Sequence, residues 1–412
     1  IVLDGVFAHT GADSRYFNRF RHYPGCGAYN SRSSVYARWY SFAHYPDDYK
    51  CWWDFKDLPA VNAANPDWRK YMITGARSIV KTWLRDGASG WRLDVADELP
   101  DDVLRGMRSA AKETDPDSVL LGEVWEDAVT KVSYGERRQY ALGDALDSVM
   151  NYPLRDGLVA FLTGRSTAHA LADLLLSQRL NYPRPLYYAL MNLTASHDVA
   201  RTRSALALDF DPRSRTRAEL AALEITDAMA ARGAQLQVLA AAVQFWLPGI
   251  PSIYYGDETG MQGLCDPFNR APLQMCDTQM LQWYAQLTAL RHAHPALTHG
   301  EVAVFAPAGD VLCVLRVIAD GRDAFGEEAE DEALLLIVNR AAHPVRCHVE
   351  LTCPGAGLCE ETRLAFVDRH ARKQKRRRGG RDRENTVGAF DLPPHAAKIY
   401  RLENRHGTET GS

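Results

Sequence analysis

Hydrophobic and polar positions along this chain vary on two length scales. Short apolar runs ending in polar clusters are separated by long stretches in which apolar residues recur at helical spacing. The runs are Ile1–Phe7, Gly90–Val95, Ser118–Trp125, Leu146–Asn151, Ala189–Leu193 and Ile250–Tyr255. An aromatic, Gly- and Pro-bearing stretch without helical period follows the first run, from Ala8 to about Asn65. Pro66 then stands at a first helical position, and Met72, Ile73, Ala76, Ile79, Val80, Trp83 and Leu84 predict a helix over Asp67–Arg85. Further helices are predicted around Asp101–Glu113, across Pro153–Leu180, near Thr216–Trp246 and at Thr278–Arg291. Six strand–helix units in series predict an α/β fold with a parallel sheet.

From about Gly300 the pattern changes. Val302–Phe305, Val311–Val317, Ala333–Val338 and Val345–Leu351 read as strands without intervening helices, which predicts an appended antiparallel sandwich. Asp320–Glu332 is acidic, and Arg369–Arg383 holds nine Lys or Arg. The basic run lacks stacking aromatics or a binding fold and reads as a solvated hairpin loop. A disordered tail is expected after Leu402.

Composition narrows the classes. The chain has 412 residues, 46% hydrophobic and 24% charged, with a formal net charge of −4. That balance argues against a nucleic-acid binder, and no apolar run approaches the length of a membrane span. The eight cysteines form no C-x-x-C pair, so neither a disulfide framework nor a zinc ribbon is expected. The chain opens on Ile1, without methionine or signal peptide.

Candidate chemistry lies where the apolar runs end, as sites do in parallel α/β sheets and barrels. Four segments carry acids or histidines there: LDGVFAHTG (3–11), GWRLDVADELP (90–100), LLGEVWEDA (120–128) and MNLTASHDVAR (191–201). In the second, strand alternation puts Arg92 and Asp94 on one face and Trp91, Leu93 and Val95 on the other. A guanidinium beside Asp94 keeps it ionised, which suits a nucleophile. Glu123 lies among Leu121, Gly122, Val124 and Trp125, an apolar wall that suits a protonated general acid. Neighbouring strands are about 4.8 Å apart, close to the ~5–5.5 Å carboxyl separation of retaining glycoside hydrolysis. On these two strands alone, a buried salt-bridge network explains the acids equally well.

Together, in this chain order, the four segments resemble the signature regions of the α-amylase family of glycoside hydrolases, over roughly residues 1–402. The resemblance implies a TIM (β/α)8 barrel followed by a β-sandwich. It makes Asp94 the nucleophile, Glu123 the acid/base and Asp198 a third carboxylate that binds sugar hydroxyls. Arg92 would orient Asp94, and His9 and His197 would hydrogen-bond the glucose ring at the cleavage subsite. In YYGDETGMQGLCDPFNR (254–270), Asp266 and Arg270 match residues that hold the same sugar. Asp4 and Trp125, which lie inside the first and third of the four segments, are further candidate substrate contacts. DGVFAHTGADSRYFN, CWWDFKDLPAVN and GWRLDVADELP look most like the neopullulanase, cyclomaltodextrinase and maltogenic amylase branch. Such enzymes cleave cyclodextrins, pullulan or starch fragments and often transglycosylate. Tyr16, Phe17, Tyr36, Trp39, Tyr40, Trp52 and Trp53 then belong to the domain inserted after the third barrel strand. Most of them are expected to form its core, with Trp52 and Trp53 as sugar-stacking candidates.

Two departures qualify the resemblance. Ala8 replaces the Asn that in many relatives helps hold calcium, so no calcium or other cofactor is expected to be required and no metal ligand is assigned. The resemblance also begins at the third barrel strand, so an incomplete barrel of strands three to eight is expected, with an open edge and without stable activity on its own. The predicted organisation is a partial catalytic barrel at 1–295 with an inserted subdomain at about 8–65, a sandwich at 296–402 and a tail at 403–412. The expected parent is a cytoplasmic glycosidase, homodimeric as is common in this branch, acting on an α-glucan or maltooligosaccharide without nucleic-acid or membrane partners. The alternative is a non-catalytic relative that kept the fold as a binding or assembly module. The presence of all three acids speaks for the enzyme.

Overall fold

A computed structural model of the chain describes residues 1–350, 358–362 and 386–404. The basic run 369–383 and the tail from 405 onward lie outside the described residues. Two compact units emerge: Ile1–Asn151 with Asn181–Leu190, and Tyr152–Leu180 with Met191–Ser412.

In the first unit, β1 (Val2–Gly5), β2 (Gly90–Leu93), β3 (Val119–Gly122) and β4 (Ser148–Val149) form a parallel sheet in that order. The run predicted at Leu146–Asn151 thus yields only a two-residue strand. Register pairs Asp4 with Arg92 and Leu93 with Gly122. Trp91 and Leu93 are buried on one face of β2, which leaves Arg92 on the other. Asp101–Thr114 is helical as predicted, burying Val103, Leu104, Met107, Ala110 and Ala111 along one stripe.

The helix predicted over Asp67–Arg85 is instead broken. Pro66–Arg69 is α-helical, Lys70–Thr74 widens into a π turn, and a new helix runs Ile79–Arg85. The apolar spacing survives the break, but local chemistry overrides it. Ser78 donates to Ile73 O at 2.7 Å and accepts from Lys81 N at 3.4 Å, so one hydroxyl serves both helix ends. Residues 8–65 are mostly irregular, with a short hairpin of Phe42–His44 and Asp48–Tyr49. Phe17 centres their core, fully buried, with the rings of Tyr40 and Tyr49 at 4.9 and 4.7 Å.

In the second unit, β5 (Met191–Leu193) pairs in parallel with β6 (Ile250–Ser252). The long helix predicted near Thr216–Trp246 is two helices, Arg217–Ala222 and Asp227–Trp246. Thr216 starts the first through a capping box with Glu219, and Thr226 caps the second by accepting from Met229 N. Beyond residue 300, β7 (Glu301–Ala308), β8 (Val311–Ile318), β9 (Glu332–Asn339), β10 (Val345–Glu350), β11 (Leu358–Thr362), β12 (Thr386–Leu392) and β13 (Ala396–Asn404) follow. They make an antiparallel sheet in the order β7-β8-β9-β13-β11 and a separate β10-β12 pair. Val311, Cys313, Leu315, Leu335 and Ile337 share one core with Cys347, Val349, Phe390 and Leu392. The opposite face is also covered: Trp246 donates its indole N–H to Val314 O at 2.9 Å. Burial on both faces is why β8 and β9 read as unbroken apolar runs.

Candidate active site

Strand ends β1, β2 and β3 gather an acid cluster around one guanidinium. Arg92 Nη1 donates to Asp4 Oδ1 and Asp94 Oδ1, each at 2.7 Å. Its Nη2 lies 3.0 Å from Glu123 Oε2, a charge contact without an aligned hydrogen bond. Burial works against the Arg92 charge, and the Glu123, Asp4 and Asp94 carboxylates overcome it, holding the guanidinium above its ordinary range. The predicted pairing of Arg92 with Asp94 is present, and Asp4, a candidate substrate contact, sits on the same guanidinium.

Glu123 is buried, at 6% exposure. The expectation of an apolar wall around it needs correction. Val124 is buried beside it, but Val95 N–H donates to Glu123 Oε2 at 2.8 Å and the Trp125 indole N–H donates to Oε1 at 3.2 Å. The carboxyl therefore meets polar donors as well as its apolar neighbours in sequence. The donor Val95 has φ 40 and ψ 64, a left-handed conformation that β-branched residues avoid at about 1–3 kcal/mol. Sequence pattern gave no sign of it.

His9 stacks on Trp52 at 5.5 Å, and Trp52 on Trp53 at 4.6 Å. Burial lowers the His9 imidazole below its usual value against the opposing fields of Asp94 and Glu98, which keeps the ring neutral at physiological pH. Trp53 is 68% exposed, so a broad aromatic face stands open to solvent at the outer end of this column.

The second unit carries the other predicted residues. His197 Nε2 lies 3.2 Å from Asp198 Oδ2, Arg270 Nη2 lies 3.9 Å from Asp198 Oδ1, and Arg270 Nε donates to Asp266 at 2.8 Å. Two residues absent from the sequence reading hold this group. Tyr152 Oη reaches Ser196 Oγ at 3.0 Å and Asp198 Oδ2 at 3.5 Å. The buried Asn269 amide donates to the carbonyls of Ser196, His197 and Val199 at 3.1, 2.9 and 2.8 Å. Asn269 stood in a quoted motif, yet nothing local signals carbonyls some 70 residues away.

Among the described residues no group of three or more His, Cys, Asp or Glu is arranged to hold a metal. At position 8, Ala8 stands where the resemblance would put an Asn. Its side chain has no donor atom, and its carbonyl accepts from Val61 N at 3.0 Å. No helix among the described residues is long and apolar enough to cross a membrane.

Residues 1–273 match the family described as "Alpha amylase, catalytic domain". The chain is 33% identical over 384 residues to an amylopullulanase of Thermoanaerobacterium thermosulfurigenes, covering 85% of this chain and 20% of that one. It is 29% identical over 416 residues to a cyclomaltodextrinase of Geobacillus thermopakistaniensis, covering 98% of this chain and 59% of that one. It therefore spans less than two thirds of either relative. A cyclic α-maltosyl-(1→6)-maltose hydrolase from Arthrobacter globiformis superposes with TM-score 0.71 at 24% identity, covering 97% of this chain and 74% of that one, a likeness of fold alone. The fold implied is the TIM-barrel glycoside-hydrolase fold, and the α/β elements agree with it. Matched over well more than half of its length, the chain belongs to the α-amylase family.

Proposed function

We propose that this chain supplies catalytic machinery for a retaining glycoside hydrolase that cleaves α-glucosidic bonds of cyclodextrins, pullulan or starch-derived oligosaccharides. One observation carries the reading: a single guanidinium contacts two carboxylates that follow the paired residues Leu93 and Gly122 on neighbouring strands. Such strands are about 4.8 Å apart, which suits the ~5–5.5 Å separation of a nucleophile and an acid in retaining chemistry. Asp94 attacks the anomeric carbon as Glu123 protonates the leaving oxygen. The glycosyl–Asp94 ester is then hydrolysed by water that Glu123 deprotonates, or transferred to a sugar acceptor. Asp198, with His197, Asp266 and Arg270, binds sugar hydroxyls through charge-assisted hydrogen bonds. His9 is a neutral partner for the ring, and Trp52 and Trp53 offer stacking faces. In this reading the six parallel strands are the third to eighth of an eight-stranded barrel, the strands after residue 300 form a β-sandwich, and no metal is required.

In the full-length protein, Glu123→Gln should lower the hydrolysis rate of maltotriose or β-cyclodextrin by about a thousandfold or more, with substrate binding retained. Proton NMR of the fresh product should show the α anomer first. Surviving activity would remove Glu123 from the acid role, and an initial β product would overturn retention.

A further inference from the structure

Strand β2 leaves its partner through one inserted residue. In a regular parallel ladder, Asp94 would stand opposite Glu123, and Val95 N–H would donate to Glu123 O. Here Glu123 N–H donates to Leu93 O at 3.0 Å as the ladder requires, but Ala96 N–H, one residue late, reaches Glu123 O at 3.2 Å. The skipped Val95 amide turns to the Glu123 side chain instead, donating to Oε2 at 2.8 Å. The left-handed φ of 40 at Val95 makes that turn. Inserted residues of this kind re-aim groups beside active sites, and a β-branched residue in a left-handed turn persists only where its surroundings over-determine it.

We propose that Val95 is a positioning residue: its left-handed bulge, directly after Asp94, releases its backbone N–H to hold Glu123 Oε2. With the Trp125 indole on Oε1, each carboxyl oxygen has its own donor, so the plane of the group is fixed. In general, an N–H donor aimed at a carboxylate oxygen favours the charged form of the group. The inference rests on the reading of Glu123 as acid/base, but the clamp can be observed without any activity.

The test uses the full-length protein labelled with ¹⁵N-valine. The Val95 amide resonance should shift with pH along a single titration that disappears in Glu123→Gln. An amide that does not titrate, or titrates unchanged in E123Q, overturns the clamp. If it titrates while no α-glucan is cleaved, the clamp stands and the hydrolase reading falls. The catalytic consequence is read by replacing Val95 with its α-hydroxy analogue, which deletes the N–H and keeps the side chain. kcat should fall about tenfold or more with KM little changed, and the alkaline limb of the kcat profile should move to higher pH. Val95→Asn, which keeps the amide and tolerates the same φ, should retain kcat within about twofold. A residue of merely structural importance would lower stability in both variants and leave the pH limb in place, and that result rejects the positioning role.

Discussion

Asp257 shows what burial does to one carboxyl. It is 1% exposed, with Oδ2 accepting from Thr202 Oγ1 at 2.5 Å and Arg201 Nη1 at 3.7 Å from Oδ1. Burial pushes this carboxyl up to about 6, against the Thr202 hydrogen bond and the Arg201 charge. The folded value thus exceeds the unfolded one near 3.8, so between them the native state binds more protons. The contribution to stability is largest below about pH 4 and is lost as pH rises through 6. Guanidinium unfolding midpoints measured across that window should decline less steeply in Asp257→Asn than in the parent, and parallel curves would sink the assignment. None of this was visible beforehand. From sequence, Asp257 has no assigned role, whereas strand alternation puts Arg92 and Asp94 on one face, and the two side chains do meet. Residue-scale reading succeeded where the partner was two positions away and failed where it was 55 away.

Elements were legible where side-chain periodicity was the strongest local rule. β8 and β9 were readable as unbroken apolar runs, and Asp101–Thr114 as an amphipathic stripe. The helices around Ser78 and Thr226 were misjudged, because capping hydroxyls end a helix without disturbing its apolar spacing. A less visible device joins β8 to the end of helix Asp227–Trp246. Arg316, fully buried, donates through Nη1 to Trp246 O and Leu297 O, both at 2.7 Å, and through Nη2 to Gly300 O at 2.9 Å. A guanidinium at a helix C-terminus satisfies carbonyls that the helix itself leaves open and meets the negative end of its dipole. Arg316→Met keeps much of the volume and deletes the guanidinium donors to those three carbonyls. Chemical denaturation should show a loss of at least about 3 kcal/mol. A loss below about 1 kcal/mol would mean that water replaces the guanidinium.

At the scale of the whole chain, family membership was readable because chemistry is concentrated in four strand-end motifs, recognisable together and in their chain order. The assignment of Asn181–Leu190 to the first unit was not readable, since a contact unit interrupted by another stretch of chain leaves no local mark. Charge also looks different at this scale. The formal net charge of −4 over 412 residues is modest. Around Arg92, however, one positive group meets Asp4, Asp94 and Glu123, while burial keeps neighbouring His9 uncharged. With its acids ionised, this cluster behaves as a cation exchanger with an unfilled valence. An α-glucan brings no counter-ion until its anomeric carbon begins to carry positive charge. A cyclic amine of sugar shape, protonated at neutral pH, brings one from the outset. It should bind the full-length protein about tenfold or more tightly than its uncharged carbocyclic twin, and calorimetry in rising salt should show that margin shrink. Equal affinities would mean that the deficit is already compensated. Under the proposed hydrolase reading, the acid cluster then implies a pharmacology: preference for a charge that an α-glucan only borrows during reaction.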